Sequence, residues 1–284
     1  MTWRDVLTRA SAYLTAKGVE DGELSAEWLV ARLLGGGRGL IASQAEEEPS
    51  PRQLEAMRRG LARLVKGEPV QYVLGEWDFR QLTLRCDRRA LIPRPETEEL
   101  VTRVLNFLKT RGPNPSVIDV GTGTGAIALS LAKEGPEDAL ILGTDISEAA
   151  IALARENATR TSLASRVIWQ VADGLDDFDE PGLFDAIVSN PPYIESAVCD
   201  TLDPTVRLWE PRLALDGGAT GLDFYDRYLA DALNLLKSSG GIFFEIGENQ
   251  GPALERLMTN YGFSEIRIEK DYAGHDRYAS AILV

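Results

Sequence analysis

Four consecutive residues, Asn190-Pro191-Pro192-Tyr193, combine a carboxamide, fixed backbone carbonyls and an aromatic ring. Each proline fixes its own φ and drives the residue before it toward extended geometry, so the carbonyls of residues 190 and 191 point in preset directions. With the Asn190 side chain, these carbonyls offer hydrogen-bond acceptors to a planar –NH2 group, on which Tyr193 can stack. The alternative interpretation is that the two prolines simply end an edge strand.

A planar –NH2 group is a poor nucleophile because its lone pair is delocalised. Catalysis therefore depends on holding the nitrogen in line with an electrophile and on stabilising the positive charge that develops. Acceptors on its N–H bonds serve both needs, which makes Asn190, Pro191 and Tyr193 the predicted catalytic residues and Pro192 a further substrate-binding residue. The sulfonium methyl of S-adenosylmethionine is the electrophile that fits, so the motif favours methyl transfer.

A glycine-rich stretch, DVGTGTG at residues 119–125, follows a β-rich run. Its glycines let the backbone turn tightly and approach a ligand closely. The spacing of Gly121, Gly123 and Ala126 also satisfies the dinucleotide fingerprint, so this motif alone leaves a dinucleotide and S-adenosylmethionine equally open. The predicted cofactor loop comprises Gly121, Thr122, Gly123, Thr124 and Gly125.

Two aspartates follow the next two β-rich runs. Asp145 lies where a carboxylate can accept both ribose hydroxyls of an adenosine, although a helix N-cap is the alternative and Ser147 can serve as that cap equally well. Asp173 is a candidate acceptor for the adenine amino group, with the backbone of Gly174 beside the ring. A turn formed by Asp-Gly is the competing interpretation for this pair.

The predicted elements place these motifs at strand ends. Apolar β-rich runs alternate with helical segments between the first four runs, which predicts a mostly parallel sheet covered on both faces. The last two runs have no helix between them and should pair antiparallel at one edge. The seven runs are 116–120, 140–145, 167–173, 184–189, 241–247, SEIRIEKD (264–271) and YASAILV (278–284).

Residues 1–75 differ from the rest of the chain because their apolar residues recur at helical spacing. Thr2 with Asp5, and Ser50-Pro51, are helix-start signals. We predict a small helical bundle that recognises the substrate over residues 1–75. Residues 76–284 are the predicted second domain, which begins with a linking hairpin indicated by period-two alternation.

Composition narrows the functional classes. The 284 residues carry a formal charge of −14, which disfavours a nucleic-acid substrate because phosphate contacts depend on Lys and Arg. Two cysteines and one histidine make no metal-ligand cluster at familiar spacing, so no metal is predicted. No apolar run has membrane-spanning length and the charged start MTWRDVLTRA lacks a signal-peptide pattern, so we expect a cytoplasmic protein.

Several longer stretches resemble one family. NPPY after DVGTGTGAIAL and GTDIS looks like the class I methyltransferases that modify planar amino groups. Further stretches resemble the HemK/PrmC family of release-factor glutamine methyltransferases: PVQYVLGEWDF, LIPRPETEELV, WEPRLALDGG, GLDFY, EIGENQ and KDYAGHDR, which together cover most of residues 69–277.

The resemblance implies a Rossmann-like class I fold with a seven-stranded, mostly parallel sheet and a small N-terminal helical domain. It implies that S-adenosylmethionine binds at Gly121 through Gly125, Asp145 and Gly174, with Asn190 close to it. It also makes residues 190–193 the cradle for the glutamine of the Gly-Gly-Gln motif in peptide-chain release factors. Glutamine methylation of a ribosomal protein, adenine methylation in nucleic acid and a catalytically silent helical adaptor remain the alternatives.

Overall fold

The computed structural model describes all residues from Met1 to Val284. They form two compact units, residues 1–76 with 203–209 and residues 77–202 with 210–284. The sequence analysis assigned residues 203–209 to the second domain, whereas the structure places this segment with the helical unit. Its only regular element is one four-residue helix, too short to show an apolar period in the sequence.

The regular elements of the first unit are helices, except that Glu76 is the first residue of a strand. Two of them begin at the predicted signals, since Thr2 with Asp5 and Ser50 with Gln53 form reciprocal capping boxes. The buried faces meet around Trp3, Leu14 and Val30. The helices are α1 (Trp3–Ala16), α2 (Gly22–Leu34), α3 (Leu40–Ser43), α4 (Pro51–Leu64), α5 (Val70–Leu74) and α10 (Pro204–Arg207).

Strands β1 (Glu76–Phe79) and β2 (Leu82–Arg85) form a separate two-stranded sheet, the predicted hairpin. The main sheet has seven strands in the order β5-β4-β3-β6-β7-β9-β8. Its strands are β3 (Ser116–Val120), β4 (Leu140–Asp145), β5 (Val167–Val171), β6 (Phe184–Ser189), β7 (Leu236–Glu245), β8 (Ser264–Lys270) and β9 (Asp276–Ile282). The predicted seven-stranded, mostly parallel sheet is confirmed.

The antiparallel prediction for the last two strands is also confirmed. β8 pairs antiparallel with β9, and β9 in turn pairs antiparallel with β7. The remaining neighbours, from β5 through β7, are parallel. Parallel strands require crossover connections, and helices supply most of them on both faces of the sheet.

Helices cover the sheet on two sides. Because successive strand residues face opposite ways, Val117 packs in a core with Leu100 and Leu129, whereas Ile118 packs in another with Leu229 and Leu254. The helices of this unit are α6 (Pro95–Leu108), α7 (Ala126–Glu134), α8 (Glu148–Arg160), α9 (Ser196–Cys199), α11 (Asp223–Leu235) and α12 (Gly251–Asn260). No helix of the chain combines the length and the apolarity needed to cross a bilayer.

One sequence-based prediction about these connections is wrong. We expected a helix between β5 and β6, but residues 172–183 contain turns and no helix. The segment includes Gly174 and Gly182, both with positive φ, and Pro181. Such residues favour turns over helix, so local chemistry explains the irregular connection.

The strand order places the predicted site. β3 lies between β4 and β6, so the chain leaves β3 in one direction across the sheet and later returns to its other side. Loops that follow β3, β4 and β6 therefore meet at the carboxyl edge of the sheet. In open α/β sheets, ligands bind in the crevice that such a reversal creates.

Candidate functional site

A cavity of about 390 Å³ opens at the carboxyl edge of the sheet in the second unit, a volume in the usual range for small-molecule sites. Most of the sequence-predicted residues line it: Gly121, Thr122, Gly123, Thr124, Asp145, Asp173, Gly174, Asn190 and Pro192. Gly125, Pro191 and Tyr193 do not line it. The structure thus brings together residues that lie up to about 70 positions apart in the sequence.

The glycine loop begins directly after β3. Gly121 has a φ of +74°, and a Cβ added there would meet no protein atom within 4 Å. Because Gly121 lies at the cavity wall, a side chain would occupy space that the loop leaves to a ligand. The loop is held by Thr122, whose backbone N–H donates to the Thr144 carbonyl (2.7 Å) and whose hydroxyl donates to Asp119 (2.6 Å).

Asp119 is a fully buried carboxyl group beneath this loop. Its Oδ2 accepts from the Thr122 hydroxyl and from the backbone N–H of Ala128 (3.1 Å), while its Oδ1 is buried without a hydrogen-bond partner. Burial raises the pKa of Asp119 to about 7, although both hydrogen bonds oppose the shift. Its charge state therefore changes near neutral pH.

Asp145 ends β4 beside the glycine loop. Its two oxygens each accept one backbone N–H at 2.9 Å, Oδ2 from Gly123 and Oδ1 from Ser147. Each oxygen keeps a second lone pair, so the carboxylate can still accept hydrogen bonds from hydroxyl groups. Burial raises the pKa of Asp145 against these two bonds. The N-cap of α8 is Ser147, which accepts from the backbone N–H of Ala150 (3.2 Å), so Asp145 is not the cap.

Asp173 and Gly174 follow β5, the neighbour of β4, and line the cavity. Arg227 donates to the Asp173 side chain (2.7 Å) and to its backbone carbonyl (2.5 Å). A Cβ added to Gly174 would lie 2.8 Å from the Tyr228 ring. Tyr228 packs against the Gly174 backbone, and Phe224 and Tyr228 both line the cavity, so part of its wall is aromatic. The adenine contact assigned to Asp173 stays a prediction.

Asn190 follows β6 directly. The end of this strand is tied to β3 by the Ser189 hydroxyl, which donates to the Val120 carbonyl (2.6 Å). The Asn190 Nδ2 donates to the Thr97 hydroxyl (3.1 Å), whereas its Oδ1 accepts no hydrogen bond from the protein. Asn190 therefore presents a free acceptor at the wall of the cavity.

The backbone after Asn190 is fixed by distant residues. Gln250 donates to the carbonyls of Tyr193 and Gly221, both at 3.0 Å. A Cβ added to Gly217 would lie 2.6 Å from the Pro192 carbonyl oxygen, so only glycine permits this approach. The loop after β6 is consequently held by two later segments of the chain.

Tyr193 is half-buried and packs against the core on the α11 and α12 side of the sheet. Burial raises the pKa of its hydroxyl to about 12, so the phenol is neutral at physiological pH. Its ring does not line the cavity, and the stacking role assigned to it stays a prediction.

The sequence analysis missed several residues of the site. Thr97 and Arg94 line the cavity, and the buried Glu210 accepts from Arg94 (2.5 Å) and from the backbone N–H of Ile92 (3.1 Å). Glu245 is buried behind Thr97. These residues occur in LIPRPETEELV, WEPRLALDGG and EIGENQ, stretches that we matched to a family but did not interpret residue by residue.

The arrangement suits an adenosine-containing molecule. An open glycine backbone, a carboxylate with spare lone pairs and two aromatic rings line one cavity, and these groups suit the sugar and the flat base of an adenosine. The free acceptor of Asn190 lies at the same wall. A group bound in the cavity would therefore lie beside Asn190 and Pro192, two of the four residues predicted to hold the –NH2 substrate.

Two family models match the chain. Residues 5–75 match the PrmC N-terminal domain, and residues 100–204 match the methyltransferase small domain. The first match lies in the helical unit and the second includes the glycine loop, Asp145 and Asn190.

Relatives match over nearly the whole chain. The release factor glutamine methyltransferase of Geobacter sulfurreducens is 38% identical over 277 residues, which is 97% of this chain and 95% of that protein. The release factor glutamine methyltransferase of Moorella thermoacetica is 40% identical over 278 residues, 98% of this chain and 97% of that protein. Among solved structures, a methyltransferase from Pyrococcus furiosus has a similar fold, with a TM-score of 0.51 and 21% identity over 71% of this chain and 88% of that one.

The buried carboxyl group of Asp119 predicts a pH-dependent stability. Because the pKa of Asp119 is raised to about 7, while an unfolded aspartate titrates at about 3.9, the folded state binds a proton more tightly. The stabilising free energy from this tighter proton binding is fully present below pH ~4 and is lost as the pH rises to ~7. We expect the free energy of unfolding, measured by urea unfolding, to fall less between pH 5 and pH 7.5 in the Asp119→Asn variant than in the wild type.

The exposed Asp138→Asn variant is the control and should keep the wild-type dependence. Equal losses of stability in wild type and Asp119→Asn would contradict the assignment of a raised pKa to Asp119.

Proposed function

Because the chain belongs to the release factor glutamine methyltransferase family, we propose that it methylates the glutamine side-chain nitrogen in the Gly-Gly-Gln motif of peptide-chain release factors. S-adenosylmethionine supplies the electrophilic methyl carbon. The observation that carries the proposal is the free Oδ1 of Asn190 at the wall of the cavity that the glycine loop also lines.

The substrate amide needs acceptors because its nitrogen lone pair is delocalised. In our proposal, Asn190 Oδ1 and the Pro191 carbonyl each accept a hydrogen bond from one N–H of the glutamine amide. Pro192 and Tyr193 hold the plane of the amide. These contacts keep the nitrogen in line with the methyl carbon and stabilise the positive charge that develops as the new N–C bond forms. As the N–C bond forms, the bond between the methyl carbon and sulfur would break and leave S-adenosylhomocysteine. The nitrogen would then release one proton to water and return to a neutral amide.

The cofactor contacts follow from the cavity wall. We assign the backbone of residues 121–125 to the amino acid part and the adjacent sugar, and Asp145 to the ribose hydroxyls. Asp173 and Gly174 lie beside the adenine in this assignment, on the part of the cavity wall that Tyr228 and Phe224 also line. The open Cβ position of Gly121 and the spare lone pairs of Asp145 support these roles.

The helical unit is the proposed recognition domain for the release factor. It contains the predicted residues 1–75, and the match to the PrmC N-terminal domain falls within it. We place the protein in the cytoplasm, where release factors act on ribosomes. The formal charge of −14 supports a protein substrate over a nucleic-acid substrate.

The direct test is mass spectrometry of a release factor after incubation with the enzyme and S-adenosylmethionine. We expect one added methyl group, located on the glutamine of the Gly-Gly-Gln motif. A release factor with that glutamine replaced by asparagine is the matched control and should remain unmodified. Methyl transfer to ribosomal proteins or RNA, with none to the release factor, would contradict the proposal.

Asn190→Ala tests the substrate contact. Removing the acceptor should lower methyl transfer roughly 10- to 1000-fold, the scale of a lost charge-stabilising hydrogen bond. Affinity for S-adenosylmethionine should fall much less. Asn234→Ala, which alters an exposed asparagine on α11, is the control and should keep full activity. Turnover of Asn190→Ala near the wild-type rate would refute the role of Asn190.

Asp145→Ala tests the cofactor contact. Loss of two charge-assisted acceptor positions should weaken S-adenosylmethionine binding about tenfold or more, as measured by titration calorimetry. The exposed Asp179→Ala variant should bind normally. An unchanged dissociation constant for Asp145→Ala would leave Asp145 with a purely structural role in holding Gly123 and Ser147.

A further inference from the structure

A short hydrogen-bond chain runs from Asn190 into the core of the second unit. The Asn190 Nδ2 donates to Thr97 Oγ1 (3.1 Å), and Thr97 Oγ1 donates to Glu245 Oε2 (2.6 Å). Thr97 is the third residue of α6 and Glu245 is the last residue of β7, and both side chains are buried. Neither residue takes part directly in the proposed reaction.

The number of hydrogen atoms that each group carries sets the donor-to-acceptor direction of this chain of hydrogen bonds. An ionised carboxylate only accepts hydrogen bonds, and a threonine hydroxyl has one hydrogen to donate. The Thr97 hydrogen is therefore used on Glu245, and Thr97 can only accept from Asn190. Asn190 must then turn its NH2 group toward Thr97 and its oxygen away from it.

The opposite orientation would be harmful to the reaction. The two ends of an asparagine amide have nearly the same size, so packing alone distinguishes them poorly. With its NH2 toward the cavity, Asn190 would face the substrate –NH2 group donor against donor. A buried donor that is left without an acceptor costs more free energy than the replacement of one hydrogen-bond partner by another.

Resting on the proposed function, we propose that Thr97 and Glu245 are positioning residues that make Asn190 present its oxygen, and not its NH2 group, to the glutamine amide. They touch neither substrate nor cofactor in this assignment and act only through Asn190. The same chain makes the site selective for an amide, because Asn190 Oδ1 attracts an N–H group and repels a carboxylate oxygen.

The electrostatics of Glu245 agree with this role above neutral pH. Burial raises the pKa of Glu245 to about 7, opposed by the Thr97 hydrogen bond and by Arg277 and Arg94, and supported by Glu96. The ionised form that fixes the chain therefore dominates above neutral pH. The uncharged amide in Glu245→Gln can donate to Thr97, which frees the Thr97 hydrogen and removes the fixed direction.

The experiment compares four full-length enzymes: wild type, Thr97→Ser, Thr97→Val and Glu245→Gln. Each is assayed for kcat and KM with a release factor. The affinity of each enzyme is also measured, in the presence of S-adenosylhomocysteine, for two release factors. One carries the glutamine of the Gly-Gly-Gln motif and the other carries glutamate in its place. The ratio of these two affinities measures the preference for an amide and does not depend on turnover.

We expect Thr97→Ser to keep the wild-type kcat and affinity ratio, since serine retains the hydroxyl. Thr97→Val and Glu245→Gln should lower kcat about tenfold and reduce the affinity ratio by a similar factor, while S-adenosylmethionine affinity stays within about twofold. Should Thr97→Val fail to fold, the nearly isosteric Glu245→Gln decides.

Two results would overturn the inference. One is a wild-type kcat and affinity ratio in Glu245→Gln, and the other is a loss in Thr97→Ser as large as in Thr97→Val, which would indicate packing and not the hydroxyl. These results differ from failure of the proposed function, in which the wild-type enzyme itself leaves the release factor unmethylated.

Discussion

The parallel order of β4, β3 and β6 is the constraint on which the site depends. These three adjacent strands end at one edge of the sheet, where Asp145 ends β4, the loop from Gly121 follows β3, and Asn190 follows β6. Direct bonds lock the strand ends together, from Gly123 to Asp145 and from Ser189 to Val120. The strand order thus places the proposed cofactor pocket next to Asn190, the proposed acceptor for the substrate amide.

A second layer of buried polar groups gives these loops their orientation. Gln250 fixes the backbone of the loop after β6, Thr97 and Glu245 orient the amide of Asn190, and Asp119 anchors the glycine loop. Each works because a buried polar group must find a partner, and the available partner determines which way the group points. The orientation of the site therefore depends on residues from several segments besides the loops after β3, β4 and β6.

The sequence predicted what is local and missed what is distant. The glycine loop, Asp145 and Asn190 were found because strand ends and residue types are visible in short windows. Thr97 and Glu245 lie 148 positions apart and Gln250 contacts Tyr193 across 57, so no periodicity or spacing reveals them. The prediction of a helix between β5 and β6 was wrong because the turn-forming residues there outweigh the regular alternation of strands and helices. No local feature of the sequence indicates that residues 203–209 belong to the helical unit.

The central claim is that oxygen acceptors after β6 hold a carboxamide beside the methyl donor. The most direct measurement is a crystal structure with S-adenosylhomocysteine and a release factor bound. Our account predicts the glutamine nitrogen within 3.2 Å or so of Asn190 Oδ1 and of the Pro191 carbonyl, on the side that faces the cofactor sulfur. A glutamine held elsewhere, or an Asn190 that directs its NH2 group into the cavity, would contradict it.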